Sequence, residues 1–96
     1  MSKDEILSFL SSHKDEMHKK FGLIKIGLFG SYAKDNFSDK SDIDLAVEIK
    51  SQNKFRSFFA LKDYLEKNLR KKVDLGIESN IKQRALKQIK KEIIYV

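Results

Sequence analysis

Apolar residues at Ile6, Leu7, Leu10, Met17 and Phe21 recur with the spacing of one helical face, with His13 on the same stripe and Phe9 widening its edge. Ser2 and Glu5 form an S-x-x-E capping box ahead of that stripe, and Gly22 follows it as a stop, so the pattern predicts a helix over about Lys3–Lys20. The period then shortens. Leu23–Phe29 (LIKIGLF) is short, β-rich and closed by a glycine, which predicts a strand. Gly30-Ser31 reads as a turn, Ser31 to about Asp35 as a short helix, and Phe37–Ser41 as a mostly polar loop. Asp42–Ile49 (DIDLAVEI) alternates cleanly, with Ile43, Leu45, Val47 and Ile49 on one side and Asp42, Asp44, Ala46 and Glu48 on the other. After a turn at Ser51–Asn53, the residues Phe55, Phe58, Phe59, Leu61, Leu65 and Leu69 mark an amphipathic helix over about Lys54–Arg70. Its three phenylalanines are read as core, with part of the cluster left to cover a partner interface. Lys72–Ile77 (KVDLGI) predicts a third strand. Asn80 with Gln83 resembles a capped start for a third long helix carrying Ile81, Ala85, Leu86 and Ile89, and Ile93–Val96 is either a short last strand or a docking tail. The order α-β-(α)-β-α-β-α predicts an α+β fold: a small mixed sheet with three to four helices packed on it, as a single domain over 1–96.

Composition narrows the classes. Ninety-six residues, 41% of them hydrophobic and 35% charged, carry enough apolar material for one modest core and too much for a disordered chain. There is no cysteine, which removes disulfide frameworks, thiol nucleophiles and zinc–thiolate sites, and no proline, which removes proline-rich linkers. No apolar run approaches the length needed to span a bilayer, and MSKDEILSFL lacks the apolar core and cleavage site of a signal peptide, so a cytoplasmic protein without a membrane partner is expected. The net charge of +6 is uneven: residues 1–48 hold 7 basic and 9 acidic side chains, residues 49–96 hold 13 and 5. The second half is therefore an expected surface for polyanions, whether nucleotides, nucleic acid or an acidic protein, unless its lysines serve solubility alone.

Asp42 and Asp44 lie two residues apart on a strand, so their carboxylates leave the same face. Like charges so placed repel, and a divalent cation between them removes the penalty. Magnesium takes one or two protein carboxylates and completes its shell with water and substrate phosphates. Asp74, flanked by the core-directed Val73 and Leu75, belongs on a polar face too. If the two strands are neighbours, three carboxylates converge, and the third either holds a second metal ion or accepts a proton from an attacking hydroxyl. Gly30-Ser31 at the end of a strand allows close backbone approach to a phosphate, and Lys34 lies one turn further on. Each feature has a plain alternative: an exposed acidic strand face, a surface aspartate after Arg70-Lys71-Lys72, a tight strand–helix turn. Lys50, Lys54 and Arg56 are candidates for steering a nucleotide or partner, or form a solvated helix face. Tyr32 either stacks on a base or packs, and His13 and His18, five apart on one helix, are structural or exposed.

Taken together, Gly30-Ser31, ten residues, then Asp42-Ile43-Asp44 make the G-S-x10-D-x-D pattern, and GLFGSYAKDNFSDKSDIDLAVEI with the later KKVDLGI resembles the polymerase-β-like nucleotidyltransferase superfamily. The chain length makes it similar to the minimal nucleotidyltransferases (MNT), which lack an added helical substrate domain. That resemblance implies an Mg2+-dependent enzyme that transfers AMP from ATP to a tyrosine hydroxyl of a HEPN-domain ribonuclease toxin and so acts as its antitoxin. It also implies catalytic and metal-binding roles for Asp42, Asp44 and Asp74, and nucleotide contacts at Gly30, Ser31, Lys34 and Ser41. The sequence departs from the family at Lys34-Asp35, where Arg-Gly is common; lysine keeps the charge without arginine's fork, and aspartate gives up glycine's backbone freedom. Three other readings compete: a binding module with a decayed site that neutralises its partner by contact, a nucleic-acid binder using the basic half, and a transferase acting on another acceptor such as a small molecule. The intact acidic set argues against the first, and the absence of a recognition motif against the second.

Overall fold

Reciprocal capping starts the first helix: the Ser2 hydroxyl accepts from the Glu5 amide at 3.1 Å, and the Glu5 carboxylate accepts from the Ser2 amide at 3.1 Å. Helix α1 then runs over Lys3–Phe21 and stops at Gly22, whose φ of 74° lets its N–H return to the carbonyls of Met17 and His18. The computed structural model describes residues 1–96. The chain continues as β1 (Leu23–Phe29), α2 (Gly30–Ala33), β2 (Ile43–Ile49), α3 (Lys54–Leu69), β3 (Val73–Ile77), a 3-10 turn (Glu78–Asn80), α4 (Gln83–Lys90) and β4 (Ile94–Tyr95).

The strands form one sheet in the order β3-β2-β1-β4. β1 is antiparallel to both β2 and β4, whereas β2 and β3 are parallel. Parallel neighbours need a crossover connection, and α3 supplies it. Ile43, Leu45, Val47 and Ile49 of β2 and Val73 and Leu75 of β3 are buried against Ile6, Leu10 and Met17 of α1 and Leu61, Leu65 and Leu69 of α3. Two helices thus cover one face of a mixed sheet, the α+β arrangement that the periodicity predicts. The strand directions have a consequence for the opposite face. The last residues of β1 and the first residues of β2, β3 and β4 all lie at the same edge of the sheet.

Helix α3 is joined to α1 by Tyr64, whose hydroxyl donates to Glu16 at 2.6 Å. Burial and that carboxylate push the Tyr64 phenol up to about 12. Both histidines are structural: His13 stacks on Phe9 with ring centroids 4.1 Å apart, and His18 Nδ1 lies 2.7 Å from the Leu23 carbonyl. Arg70 closes α3 in the left-handed region (φ 55°), where a Cβ is unfavourable. Arg70→Gly is therefore expected to stabilise the protein by about 0.5–1 kcal/mol in chemical denaturation.

Three expectations are corrected. Helix α4 begins at Gln83 with Lys82 at its N-cap and no side-chain cap, while Asn80 ends the preceding turn. The physical reason is Glu78, which is buried and bonded to Lys25 at 2.9 Å and to Tyr95, so the chain turns tightly there before a helix can start. Phe55 and Phe59 are not core, being 75% and 50% exposed, whereas Phe58 is half-buried and packs against it; with Lys54, Ile77 and Asn80 the three rings line an open cavity of about 390 Å3. The sheet beneath the first turns of α3 ends at Ile49 and Ile77, leaving little strand surface for these rings to cover. Ala46, expected on an open polar face, is 1% exposed, with Gly27 and Gly76 as its cross-strand partners. Ile93–Val96 does form a strand, of two residues, on the edge of β1.

Candidate active site

Gly30 occupies the bend between β1 and α2 with a φ of 78°. That conformation alone favours glycine. A second constraint acts at the same atom: a Cβ built on Gly30 would collide with the Asp44 carboxylate, lying 2.9 Å from its Cγ and 3.1 Å from its Cβ. The closeness follows from register, since Phe29 pairs with Asp44 across the antiparallel strands. On its other side, Asp44 pairs with Asp74 across the parallel strands. The glycine bend, Asp44 and Asp74 are thus consecutive along one end of the sheet. Asp42 lies just ahead of β2, half-buried, two residues before Asp44.

Electrostatically this corner is unbalanced. Burial pushes the Asp44 carboxyl up to about 6, and Asp74, Asp42 and Glu92 push it in the same direction. None of the 20 lysines and arginines bridges Asp42, Asp44 or Asp74; the ion pair at this corner joins Lys34 to Glu92 instead. Nor do these side chains close around one point as a prebuilt cage of three or more ligands. Hard oxygen donors that are few, adjacent and unneutralised fit magnesium, which keeps water and phosphate ligands, better than ions that demand a full protein cage.

Other residues singled out from the sequence divide. Ser31 sits half-buried in the first turn of α2, beside Gly30. Lys34, one turn on, bridges Glu92 at 3.4 Å. Ser41 is engaged in its own loop, where its hydroxyl accepts from the Ser38 amide at 2.9 Å. Tyr32 is buried and stacked on Phe37 with centroids 4.2 Å apart, so it packs and offers no face to a base. Asp35 takes a φ of 58°, the left-handed conformation glycine would adopt, and bridges Lys3 at 2.9 Å. Aspartate is among the few side chains that tolerate this region, so the bend survives without the glycine. Lys54 lies 4.0 Å from Glu48, toward the opposite end of β2 from Asp44. Lys50 and Arg56 are exposed and belong to no ion pair.

One residue of this corner was missed. Glu92 accepts a hydrogen bond from the Gly30 amide at 3.1 Å. Its signal in the sequence is faint, a lone acid after Lys90-Lys91 and just before a strand. Only the antiparallel pairing of β4 with β1 carries it to the glycine bend.

The mixed sheet, with its glycine bend and paired aspartates at one end, agrees with the nucleotidyltransferase class that the family match shows. The chain belongs to the nucleotidyltransferase domain family, whose model matches residues 10–96. It is similar to the protein adenylyltransferase MntA of Thermococcus cleftensis, with 37% identity over 93 residues that cover 97% of this chain and 94% of the relative. Its fold is that of a solved candidate minimal nucleotidyltransferase, with a TM-score of 0.82 and 24% identity over 98% of this chain and 95% of that one. A solved toxin–antitoxin structure with AMP-PNP shares the fold at a TM-score of 0.70 and 23% identity, over 88% of this chain and 69% of that one. The chain is a nucleotidyltransferase, and none of its helices is long and apolar enough to cross a membrane.

Proposed function

We propose that the chain transfers AMP from ATP to a hydroxyl of a partner protein, a tyrosine of a HEPN-domain ribonuclease toxin, and so acts as that toxin's antitoxin. The observation that carries the chemistry is the row of Gly30, Asp44 and Asp74 at one sheet end, with no basic side chain neutralising the acids. The acceptor rests on the resemblance to the minimal nucleotidyltransferases and on the relative named a protein adenylyltransferase.

In this reading the triphosphate lies over the Gly30-Ser31 bend, where the absence of a Cβ lets phosphate approach the backbone, with Lys34 beside it. Asp42 and Asp44 hold magnesium, which when bound neutralises charge that builds on the phosphate oxygens. Asp74, exposed and next to Asp44, faces the acceptor and takes the proton of its hydroxyl. A new bond forms between that oxygen and the α-phosphorus. The bond from the α-phosphorus to the bridging oxygen of the β-phosphate breaks, and pyrophosphate leaves with the electron pair. Ser41 contributes by ordering the loop that delivers Asp42.

Incubating the purified chain with magnesium, α-labelled ATP and a HEPN-domain ribonuclease from the same source tests this directly. Label is expected on the toxin and on one of its tyrosines. Chelation with EDTA is expected to abolish labelling, and added magnesium to restore it. A complex that silences the toxin without label would replace transfer by neutralisation through contact.

A further inference from the structure

Glu92 stands where the proposed reaction needs the nucleotide's phosphate. Its two carboxylate oxygens are divided between the two donors of that place: Oε1 accepts from the Gly30 amide at 3.1 Å, and Oε2 faces the Lys34 ammonium at 3.4 Å. We propose that Glu92 is an internal substitute for phosphate, held on the glycine bend until a nucleoside triphosphate displaces it. This rests on the reading of Gly30 and Lys34 as the phosphate-binding donors.

Three observations support it. The Glu92 side chain is only 17% exposed, so it is seated rather than solvated. It is the sole acid from Ser79 to Val96, among Lys87, Lys90 and Lys91, yet it reaches across 62 positions to Gly30. It also adds a further negative charge beside Asp44, which nothing but the amide and Lys34 offsets. A carboxylate in that place repels a triphosphate, and both cannot hold the same two donors. The segment that carries Glu92 is suited to yield. Helix α4 buries no residue, so little packing resists a small movement of the turn that carries Glu92, while the tail beyond it stays pinned by the Val96 amide on the Ile26 carbonyl at 3.1 Å and by Lys14 on the Val96 carbonyl at 2.6 Å.

The exchange lowers apparent affinity by the fraction of molecules in which Glu92 is seated. Removing it should therefore tighten binding of magnesium AMP-PNP by about tenfold if about one molecule in ten is open. The test is calorimetric titration of magnesium AMP-PNP, and of adenosine, into the wild-type chain, Glu92→Gln, Glu92→Ala and Asp44→Asn. Glutamine keeps an acceptor for the Gly30 amide and holds the strap if alanine loosens it. Tighter AMP-PNP binding in the Glu92 variants, with adenosine unchanged, is expected. Equal or weaker AMP-PNP binding in both would overturn the proposal, the weaker case making Glu92 a nucleotide or metal ligand. A second readout is the Gly30 amide resonance in the nucleotide-free chain, which should move in Glu92→Ala and stay unmoved if the bond is not populated in solution. Asp44→Asn separates this proposal from the one beneath it. If Asp44→Asn binds AMP-PNP as well as wild type does, the site reading fails; if it binds weakly while the Glu92 variants match wild type, only the substitution by Glu92 fails.

Discussion

Asp44→Asn is expected to lower nucleotidyl transfer by about 100- to 1000-fold while raising the stability of the metal-free protein. The two effects have one cause. Asp44 is half-buried, lies against Gly30, and shares its surroundings with Asp74, Asp42 and Glu92. Its carboxyl rises from 3.8 to about 6, so folding opposes the charged form. For an acid with a raised value, the folded state binds the proton more tightly than the unfolded state does. The stability contributed by the protonated form is fully present below about 3.8 and is lost as pH rises through about 6. Above that range the ionised carboxylate costs about 1–2 kcal/mol, a figure reduced from the full shift because solvent screens a half-exposed group. Asparagine removes that cost. Melting curves of metal-free protein should therefore coincide near pH 4 and separate by pH 7, with the variant the more stable. Magnesium should narrow the gap by stabilising the wild type. A variant that lost both transfer and stability would mean that Asp44 is a packing residue, and the catalytic assignment would fall.

Gly30→Ala should be the most damaging change of comparable size. Alanine at a φ of 78° costs about 1 kcal/mol from backbone strain alone. The added methyl would also strike the Asp44 side chain, whose Cβ lies 3.1 Å away on a backbone held by strand register on both sides. A total loss of about 2–4 kcal/mol is expected in urea denaturation, with transfer lost even where the fold persists, because Asp44 would be displaced. Gly76→Ala is the control. Gly76 lies on β3 two residues beyond Asp74, and a Cβ there meets nothing within 4 Å. It should be neutral or mildly stabilising, which shows that the loss at Gly30 comes from its position rather than from losing a glycine.

The legible parts of the chain were those in which neighbours in sequence are also neighbours in space. The Ser2–Glu5 box, the Gly22 stop and the alternation through Ile43, Leu45, Val47 and Ile49 are local, and each appears where the pattern places it. The G-S-x10-D-x-D motif was legible for a related reason: a single strand–loop–strand return brings Gly30 to Asp44. Phe55 and Phe59 misled because helical spacing reports which face of a helix is apolar, not whether a sheet lies beneath it. The start of α4 misled because Asn80 is committed to a turn fixed by the buried Glu78, a bond made across 53 positions.

The amino-acid order by itself determined the succession of helices and strands, the acidic pair on β2 and the family, since propensity, capping and side-chain alternation act over a few residues. It left open which carboxylates meet. The parallel crossover through α3 set Asp74 opposite Asp44, and the antiparallel return of β4 set Glu92 on the Gly30 amide. Those placements come from strand register and direction, which follow from how the whole apolar face is buried and which no short stretch of chain encodes.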